Sequence, residues 1–213
     1  MEWKPRSLGE EGKIKTLQEN IGVPFEIANL LVQRGIQDFD AAKNFFRPEL
    51  SDLHDPYLML GMEAAVNRIS TAIESNEKIM VYGDYDVDGT TSVALVFSYL
   101  TSYYPDCIYY IPDRYEEGYG ISKKGIDHAK KESISLIIAL DCGIRALDNV
   151  KYASELGIDF IICDHHLPGA NLPDAVAILD PKQNNCNYPF KDLCGCGIGF
   201  KLIHALSQER GLS

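Results

Sequence analysis

Short apolar runs that alternate with helical stretches restrict the fold of this chain more than any other feature of its sequence. The runs cover residues 79–82, 107–111, 136–140, 160–163 and 175–179. Helical patterns lie between or after them at residues 92–99, 123–132, 146–156 and 199–208. The first of these helices is expected to take Thr90 or Thr91 as its N-cap. Because continuous apolar strands are typical of parallel sheets, we predict an α/β fold with an open, mainly parallel five-stranded sheet flanked by helices.

The chain before the first strand has a different pattern. Its apolar residues recur at helical spacing, with Pro24 placed to open the second helix and a last helix expected over residues 62–75. We therefore expect two parts. Residues 1–60 would form an N-terminal helical segment, and residues 61–213 would form the sheet domain.

Composition limits the functions that are open to the chain. With 20 Lys and Arg against 31 Asp and Glu, the formal net charge is −11, which argues against gripping nucleic acid by bulk charge. No apolar run approaches the ~18–20 residues of a membrane span, and the N-terminus lacks the apolar core of a secretory signal. The six cysteines lack zinc-site spacing and are expected to be reduced. We expect a cytoplasmic protein that does not bind membranes.

Acidic and imidazole side chains follow three of the predicted strands directly. These residues are Asp84, Asp86, Asp88, Asp141, Asp164, His165 and His166. In an open α/β sheet the ligand crevice lies outside the carboxyl ends of the strands. The three segments are therefore expected to direct their acids and imidazoles to one edge of the sheet.

Several carboxylates at one edge of the sheet repel one another unless their negative charge is compensated. Two unit charges 4 Å apart repel by about 4 kcal/mol at an effective dielectric constant near 20. Carboxylate and imidazole ligands suit Mn²⁺ or Mg²⁺, with Zn²⁺ or Fe²⁺ as alternatives. So many ligands favour two ions, a pair that can clamp both oxygens of a phosphoryl displacement. The carboxylates of Asp84, Asp86 and Asp88 would share one side of an extended chain, and the helix after Gly89 could receive a phosphate at its N-terminus.

Each element of this site has a simpler interpretation. Asp84 to Gly89 could belong to a calcium loop, but that loop needs a later Glu and helices on both sides. Asp141 could cap the helix at Ala146, and the two histidines could be solvent-facing. Their coincidence at matching strand ends favours a shared site. The remaining histidines lack such neighbours and are expected to serve packing or the surface: His54, His128 and His204.

Five segments occur in an order that resembles one known family. They are residues 84–92, 111–122, 141–144, 164–166 and 195–202. Together they resemble the DHH phosphoesterase superfamily, which is named after the Asp-His-His triplet. The first, second and last segments are similar to its single-stranded-DNA-specific 5′→3′ exonucleases, which serve DNA repair and recombination. The resemblance runs from about Met62 to the end of the chain.

The resemblance implies roles for the acidic and imidazole residues. It makes Asp86, Asp88, Asp141 and His165 ligands of two divalent ions, Mn²⁺ or Mg²⁺, and Asp141 would bridge the two ions. His166 would contact the scissile phosphate. Asp164 would orient His165, a common device for fixing a metal-bound imidazole. Asp84 would lie in the ligand shell or just behind it.

The resemblance also points to a substrate-binding segment. Arg114 would clamp a phosphate, because guanidinium binds such oxygens in a bidentate manner. Gly118 and Gly120 would let the backbone approach the DNA, and Tyr119 would stack on a base. Ser122 belongs to the same set. The alternatives are a surface arginine in an acidic loop and a simple turn.

Two departures from the family bear on these expectations. Several relatives carry a metal-binding His where this chain has Tyr82, so one ion would have fewer ligands or would use Asp84. The exonucleases also supply a further metal-binding Asp and DNA-binding domains downstream. We therefore expect an N-terminal part of a longer protein, weakly active or inactive alone, whose single-stranded DNA is held mainly beyond residue 213.

Two other functions are compatible with the motifs. The first is a DHH phosphodiesterase or phosphatase acting on short oligonucleotides, phosphoadenosine phosphate or cyclic dinucleotides. The second is a non-catalytic scaffold in replication, which would have lost metal ligands. The segment from Arg114 to Ser122 favours the exonuclease over the first, and the retained acids argue against the second.

Overall fold

The computed structural model describes residues 2, 4 and 6–212. The chain divides into two compact units with the boundary after residue 53, while the proposed domain division after residue 60 stays a prediction. The segment that differs contains a 3₁₀ helix, Pro56–Leu58, and it belongs with the larger unit because Pro56 and Met59 are buried.

The smaller unit is helical, as expected. It contains α1 (Glu11–Ile21), α2 (Phe25–Val32), α3 (Phe39–Phe46) and a 3₁₀ helix (Leu50–Asp52). Ile14 and Leu17 of α1 pack with Ala28 and Leu31 of α2 in a small core of their own.

The larger unit is built on a five-stranded parallel sheet, which confirms the predicted fold class. Its strands are β1 (Lys78–Gly83), β2 (Cys107–Tyr110), β3 (Ile134–Leu140), β4 (Asp159–Cys163) and β5 (Ala177–Leu179). The strand order is β2-β1-β3-β4-β5. In register, Val81 of β1 lies beside Tyr109 of β2 on one side and Ile138 of β3 on the other.

Helices cover both faces of this sheet, so the strands are buried on both sides. The helices are α4 (Met62–Glu74), α5 (Val87–Thr101), α6 (Lys123–Lys131), α7 (Leu147–Glu155) and α8 (Gly195–Glu209). One core contains residues of α4, α5 and α8, and the other contains residues of α6 and α7.

Two helices begin earlier than the sequence suggested. The N-cap of α5 is Asp86, whose carboxylate accepts the Gly89 N–H, and not Thr90 or Thr91. Both threonines instead donate to carbonyls four residues back, Asp86 O and Val87 O, as helical residues do. Helix α8 begins at Gly195 rather than at residue 199.

The cysteines and the helix lengths agree with the compositional analysis. All six cysteines are free, and four of them are buried. Within the part of the chain that the structure describes, we find no helix long and apolar enough to cross a bilayer.

Candidate metal centre

The site lies where the strand order of the sheet reverses. The chain runs from β1 outward to β2 on one side, and β3 lies on the other side of β1. The loops after β1 and β3 therefore diverge and leave a crevice at their carboxyl ends, the usual ligand position in such sheets. Asp84, Asp86 and Asp88 follow β1, and Asp141 follows β3.

The loop after β4 brings two imidazoles to the same crevice. His165 Nε2 lies 3.1 Å from Asp141 Oδ1 and 3.7 Å from Asp88 Oδ2. Asp141, His165 and His166 each offer a donor atom within 4.8 Å of the others. The structure therefore brings together the residues that the sequence placed at three separate strand ends, although their roles as ligands stay predictions.

Asp141 is the most perturbed group of the site. Its backbone is left-handed with φ +59°, held by its N–H on Cys163 O at 2.8 Å. Its side chain is buried, and Oδ1 accepts no well-directed hydrogen bond from the described residues. Burial, and then the charges of Asp88 and Asp86, raise the pKa of Asp141 to about 8. Such a carboxylate needs either a proton or a cation.

Asp84 is buried at the carboxyl end of β1. Its Oδ1 accepts the Gly120 N–H at 3.2 Å, and its Oδ2 has no partner among the described residues. Burial raises the pKa of Asp84 above its ordinary value. Its position agrees with an acid in or just behind a ligand shell.

The other two acids of the first motif are arranged differently from the prediction. They do not lie on an extended chain with Asp84, because α5 begins between them: Asp86 is its N-cap and Asp88 lies in its first turn. Both oxygens of Asp88 accept backbone N–H groups from the start of α8, Gly195 at 2.6 Å and Cys196 at 2.8 Å. The turn of the helix, not strand alternation, directs these carboxylates to the crevice.

These residues fit divalent ions such as Mn²⁺ or Mg²⁺. The donors are carboxylate oxygens and imidazole nitrogens, the set that such ions accept. Two buried carboxylate oxygens, on Asp84 and Asp141, lack hydrogen-bond donors within the described chain, which is costly without a cation. Burial lowers the pKa of His165, which favours the neutral imidazole that a metal ion binds.

Asp164 orients the second histidine rather than the first, which corrects the prediction. Its Oδ1 lies 2.7 Å from His166 Nδ1, and the same oxygen accepts the backbone N–H of His165. Its Oδ2 accepts the Ile144 N–H at 2.9 Å, so both oxygens are held by the protein. The result is a fixed His166 ring whose Nε2 lies 3.3 Å from the Tyr119 hydroxyl.

The predicted substrate segment reaches the site only in part. Tyr119 contacts His166 and also packs edge-on against Tyr85, and the exposed Arg114 lies over the Tyr85 ring at 5.4 Å. Gly118 and Gly120 have φ near +83° and +82°, with open space where a Cβ would stand. These glycines therefore serve a left-handed turn, and neither is needed for a close approach of the described backbone.

Ser122 has a structural role in the loop, and its membership of the substrate-binding set stays a prediction. Its hydroxyl caps α6 by accepting the Gly125 N–H at 2.9 Å, and it donates to Glu117. Tyr82 braces the same segment from the core, since its hydroxyl donates to Gly120 O at 2.9 Å and accepts the Ser122 N–H at 3.1 Å. Tyr82 thus supports the loop that carries Tyr119.

The sequence analysis missed two cations beside the histidines. A cleft of about 680 Å³ next to His166 is lined in part by Arg145 and Lys182. Arg145 Nε donates to Leu167 O at 2.8 Å, and Lys182 Nζ donates to His165 O at 2.6 Å. Lys182 follows β5 closely, so the strand-end rule applied to the fifth strand would have found it.

The other three histidines pack against aromatic rings, as expected for residues outside the site. His54 lies edge-on to Tyr188 with ring centroids 5.9 Å apart. His128 lies against Tyr110, and His204 lies against Phe200.

The fold and the site define the class of protein. A model of the DHH family, N-terminal domain, matches residues 78–212, from β1 to the end of the described chain. This chain belongs to the DHH family.

Individual relatives narrow the resemblance to one kind of enzyme. The chain is 46% identical over 200 residues to the single-stranded-DNA-specific exonuclease RecJ of Bacillus subtilis (strain 168), covering 94% of this chain and 25% of the relative. It is 36% identical over 198 residues to RecJ of Escherichia coli (strain K12), covering 90% and 33%. The chain thus spans a quarter to a third of the length of these relatives.

Solved structures agree with this resemblance. RecJ from Thermus thermophilus in complex with Mn²⁺ matches with a TM-score of 0.78 and 25% identity over 98% of this chain and 29% of that one. A crystal structure of exonuclease RecJ bound to manganese matches with a TM-score of 0.65 and 30% identity, covering 73% and 39%. The predicted likeness to single-stranded-DNA exonucleases is confirmed at the level of sequence and fold.

Proposed function

We propose that this chain carries the metal centre of a RecJ-type exonuclease that hydrolyses single-stranded DNA from its 5′ end. The proposed ligands of two Mn²⁺ or Mg²⁺ ions are Asp86, Asp88, Asp141 and His165. The observation that carries the proposal is the buried Asp141 carboxylate, whose Oδ1 lies 3.1 Å from His165 Nε2 and accepts no well-directed hydrogen bond from the described residues.

Divalent ions in such a site act as Lewis acids toward the phosphate and make a bound water more acidic. The residues of the chain hold the reacting groups in position. Asp164 fixes the ring of His166 through Nδ1, so that Nε2 can hold or donate a proton at an oxygen of the scissile phosphate. Asp84, a buried carboxylate at the carboxyl end of β1, adds negative charge that favours cations in the crevice.

The surroundings of the centre suit a single strand. Tyr119 and Tyr85 offer ring faces on which unpaired bases can stack, and Arg114 beside Tyr85 can meet a phosphate. In a chain of net charge −11, Arg145 and Lys182 place positive charge in the cleft next to His166. These features support local recognition of a few nucleotides.

The wider setting follows from the same proposal. Most of the grip on single-stranded DNA would come from regions beyond residue 213, because the chain matches only a quarter to a third of its exonuclease relatives. The complete protein would act in DNA repair and recombination. Six free cysteines support a cytoplasmic location.

The proposal is tested with the complete protein and Mn²⁺. We expect degradation of 5′-labelled single-stranded DNA, little action on duplex DNA, and a loss of about 10³-fold or more in kcat for Asp141→Ala. Asp148→Ala, which removes an exposed acid on α7, is the matched control and should stay near the unsubstituted rate.

Substrate length separates the proposal from a small-substrate phosphodiesterase. We expect long strands to be hydrolysed faster than dinucleotides or phosphoadenosine phosphate. Faster hydrolysis of the small substrates would contradict the exonuclease function, and normal activity of Asp141→Ala would contradict the metal centre itself.

A further inference from the structure

The first turn of α8 lies directly on the proposed metal ligands. The N–H groups of Gly195 and Cys196 donate to the two oxygens of Asp88 at 2.6 and 2.8 Å. The first N–H groups of any helix have no partner inside the helix, so they are free to hold an anionic group. Here they hold one carboxylate in a bidentate grip.

The same turn also touches Asp141. A Cβ on Gly195 would lie 2.6 Å from Asp141 Cβ and 2.7 Å from its Oδ1. Asp141 cannot easily withdraw, since it is buried and its left-handed backbone is tied to Cys163 O. Gly195 itself lies within a regular helix, so the position needs glycine for space and not for an unusual φ.

We propose that the first turn of α8 positions the metal centre, with Gly195 as the positioning residue. Its N–H, with that of Cys196, sets the orientation of Asp88, and its missing side chain leaves the place that the Asp141 carboxylate occupies. This inference rests on the proposed function, because it concerns the geometry of the same metal site.

The arrangement explains a feature of the sequence that helix propensity disfavours. The turn reads Gly195-Cys196-Gly197, which is poor helix-forming sequence, and yet α8 starts there. The grip on Asp88 links α8 to α5, which carries Asp88 in its own first turn. Partners of metal ligands of this kind change metal affinity by roughly 10–100-fold when they are altered.

One pair of variants tests the space at Gly195. Gly195→Ala places a methyl group against Asp141. Gly197→Ala changes another glycine of the same helical turn, but its methyl group would lie 3.2 Å from the side chain of Leu193, which can move. Mn²⁺ binding to this chain at pH 7.5 is measured by isothermal titration calorimetry, and thermal unfolding in EDTA reports folding. We expect at least tenfold weaker Mn²⁺ binding for Gly195→Ala and a change within about twofold for Gly197→Ala.

A second pair tests the N–H group separately. Cys196→Pro and Cys196→Ala both remove the thiol, but only the proline removes the N–H that Asp88 Oδ1 accepts. Proline is tolerated in the first turn of a helix. We expect weaker Mn²⁺ binding for Cys196→Pro than for Cys196→Ala. If Gly195→Ala fails to fold, this second pair tests whether the first turn of α8 positions the metal centre.

The outcomes separate this inference from the proposed function. If the unsubstituted chain binds Mn²⁺ and both critical variants bind it equally well, the positioning role is wrong while the metal centre stands. If the unsubstituted chain binds no Mn²⁺, the proposed metal centre and the positioning role both fail.

Discussion

At the scale of single residues, the chemistry depends on carboxylates held where water and hydrogen-bond donors are scarce. Asp141 and Asp84 are buried, and each keeps one oxygen without a donor among the described residues. The cost of such groups is removed when they bind a proton or a cation. The metal-free chain should therefore show their titration directly.

Asp141 makes the stability of the metal-free chain depend on pH. Its pKa in the folded chain, about 8, lies above the ordinary 3.8, so the folded state binds the extra proton and loses stability as pH rises between these values. Asp141→Asn should be roughly 3 kcal/mol more stable than the unsubstituted chain at pH 9, about half of what ~1.4 kcal/mol per pKa unit would give without relaxation of the surroundings. Urea unfolding in EDTA at pH 5 and pH 9 measures this.

The control for that experiment is Asp148→Asn on the exposed side of α7. It should leave the pH dependence unchanged, and Mn²⁺ should stabilise it as it does the unsubstituted chain. Equal stability of Asp141→Asn and the unsubstituted chain at pH 9 would show that Asp141 is not strained.

Tyr82 is expected to hold the loop that carries Tyr119. Tyr82→Phe removes a buried hydroxyl that donates to Gly120 O and accepts from Ser122 N, and should lower the free energy of unfolding by about 1–2 kcal/mol. Amide exchange at Ser122, measured by NMR, should become faster. Tyr109→Phe, at a half-exposed ring on β2, should change neither quantity, and slow exchange in Tyr82→Phe would contradict the bracing role.

At the scale of elements, the sequence predicted the strands and helices whose positions depend on the pattern of apolar residues. The strand runs and most helices were found where expected, because burial on both faces of a sheet leaves a plain apolar pattern. The start of α5 was missed because Asp86, and not a threonine, caps the helix by accepting the Gly89 N–H. The start of α8 was missed because it depends on contacts across the chain, those of Gly195 with Asp88 and with Asp141. The partner of Asp164 was missed because the local turn after β4, which brings His166 Nδ1 within 2.7 Å of Asp164 Oδ1, is not visible in the pattern of residue types.

A charged network ties the other end of the sheet to α4. Arg68 donates to Glu77 at 2.6 Å and to Asp159 at 2.7 Å, and Glu77 also accepts from Ser135 at 2.6 Å. The hydrogen bond from Ser135 and the Arg68 charge hold the pKa of Glu77 below its ordinary 4.5. The network therefore stabilises the fold above about pH 4.5 and loses its effect as pH falls.

Arg68→Met should consequently destabilise the chain by about 2–3 kcal/mol at pH 7, because two acids lose their partner. The difference from the unsubstituted chain should shrink at pH 3, as measured by urea unfolding. Lys151→Met, at an exposed position on α7, is the control. A difference that stays constant between pH 7 and pH 3 would exclude the ion pairs as its cause.

At the scale of the whole molecule, the proposed metal centre lies in an acidic chain that offers little positive charge for holding DNA. The proposed metal centre belongs to a chain of net charge −11, and the cations near it, Arg145 and Lys182, lie in the adjoining cleft. A chain with this net charge gains little affinity for DNA from counterion release. The division of labour between this chain and further domains is therefore part of the proposed function.

The chain alone should bind single-stranded DNA weakly. We expect a dissociation constant above about 10 µM for a labelled 20-mer in 50 mM salt, with a small change at 200 mM, because few phosphates are neutralised. Fluorescence anisotropy measures this. Nanomolar binding with a steep salt dependence would show that the main DNA-binding surface lies within these residues.

The most direct test of the metal centre is anomalous diffraction from crystals of this chain soaked in Mn²⁺. We expect two manganese peaks about 3.5–4 Å apart at the carboxyl ends of β1 and β3, with the Asp141 carboxylate between them. Manganese peaks elsewhere, or an Asp141 that contacts no ion at saturating Mn²⁺, would contradict the site.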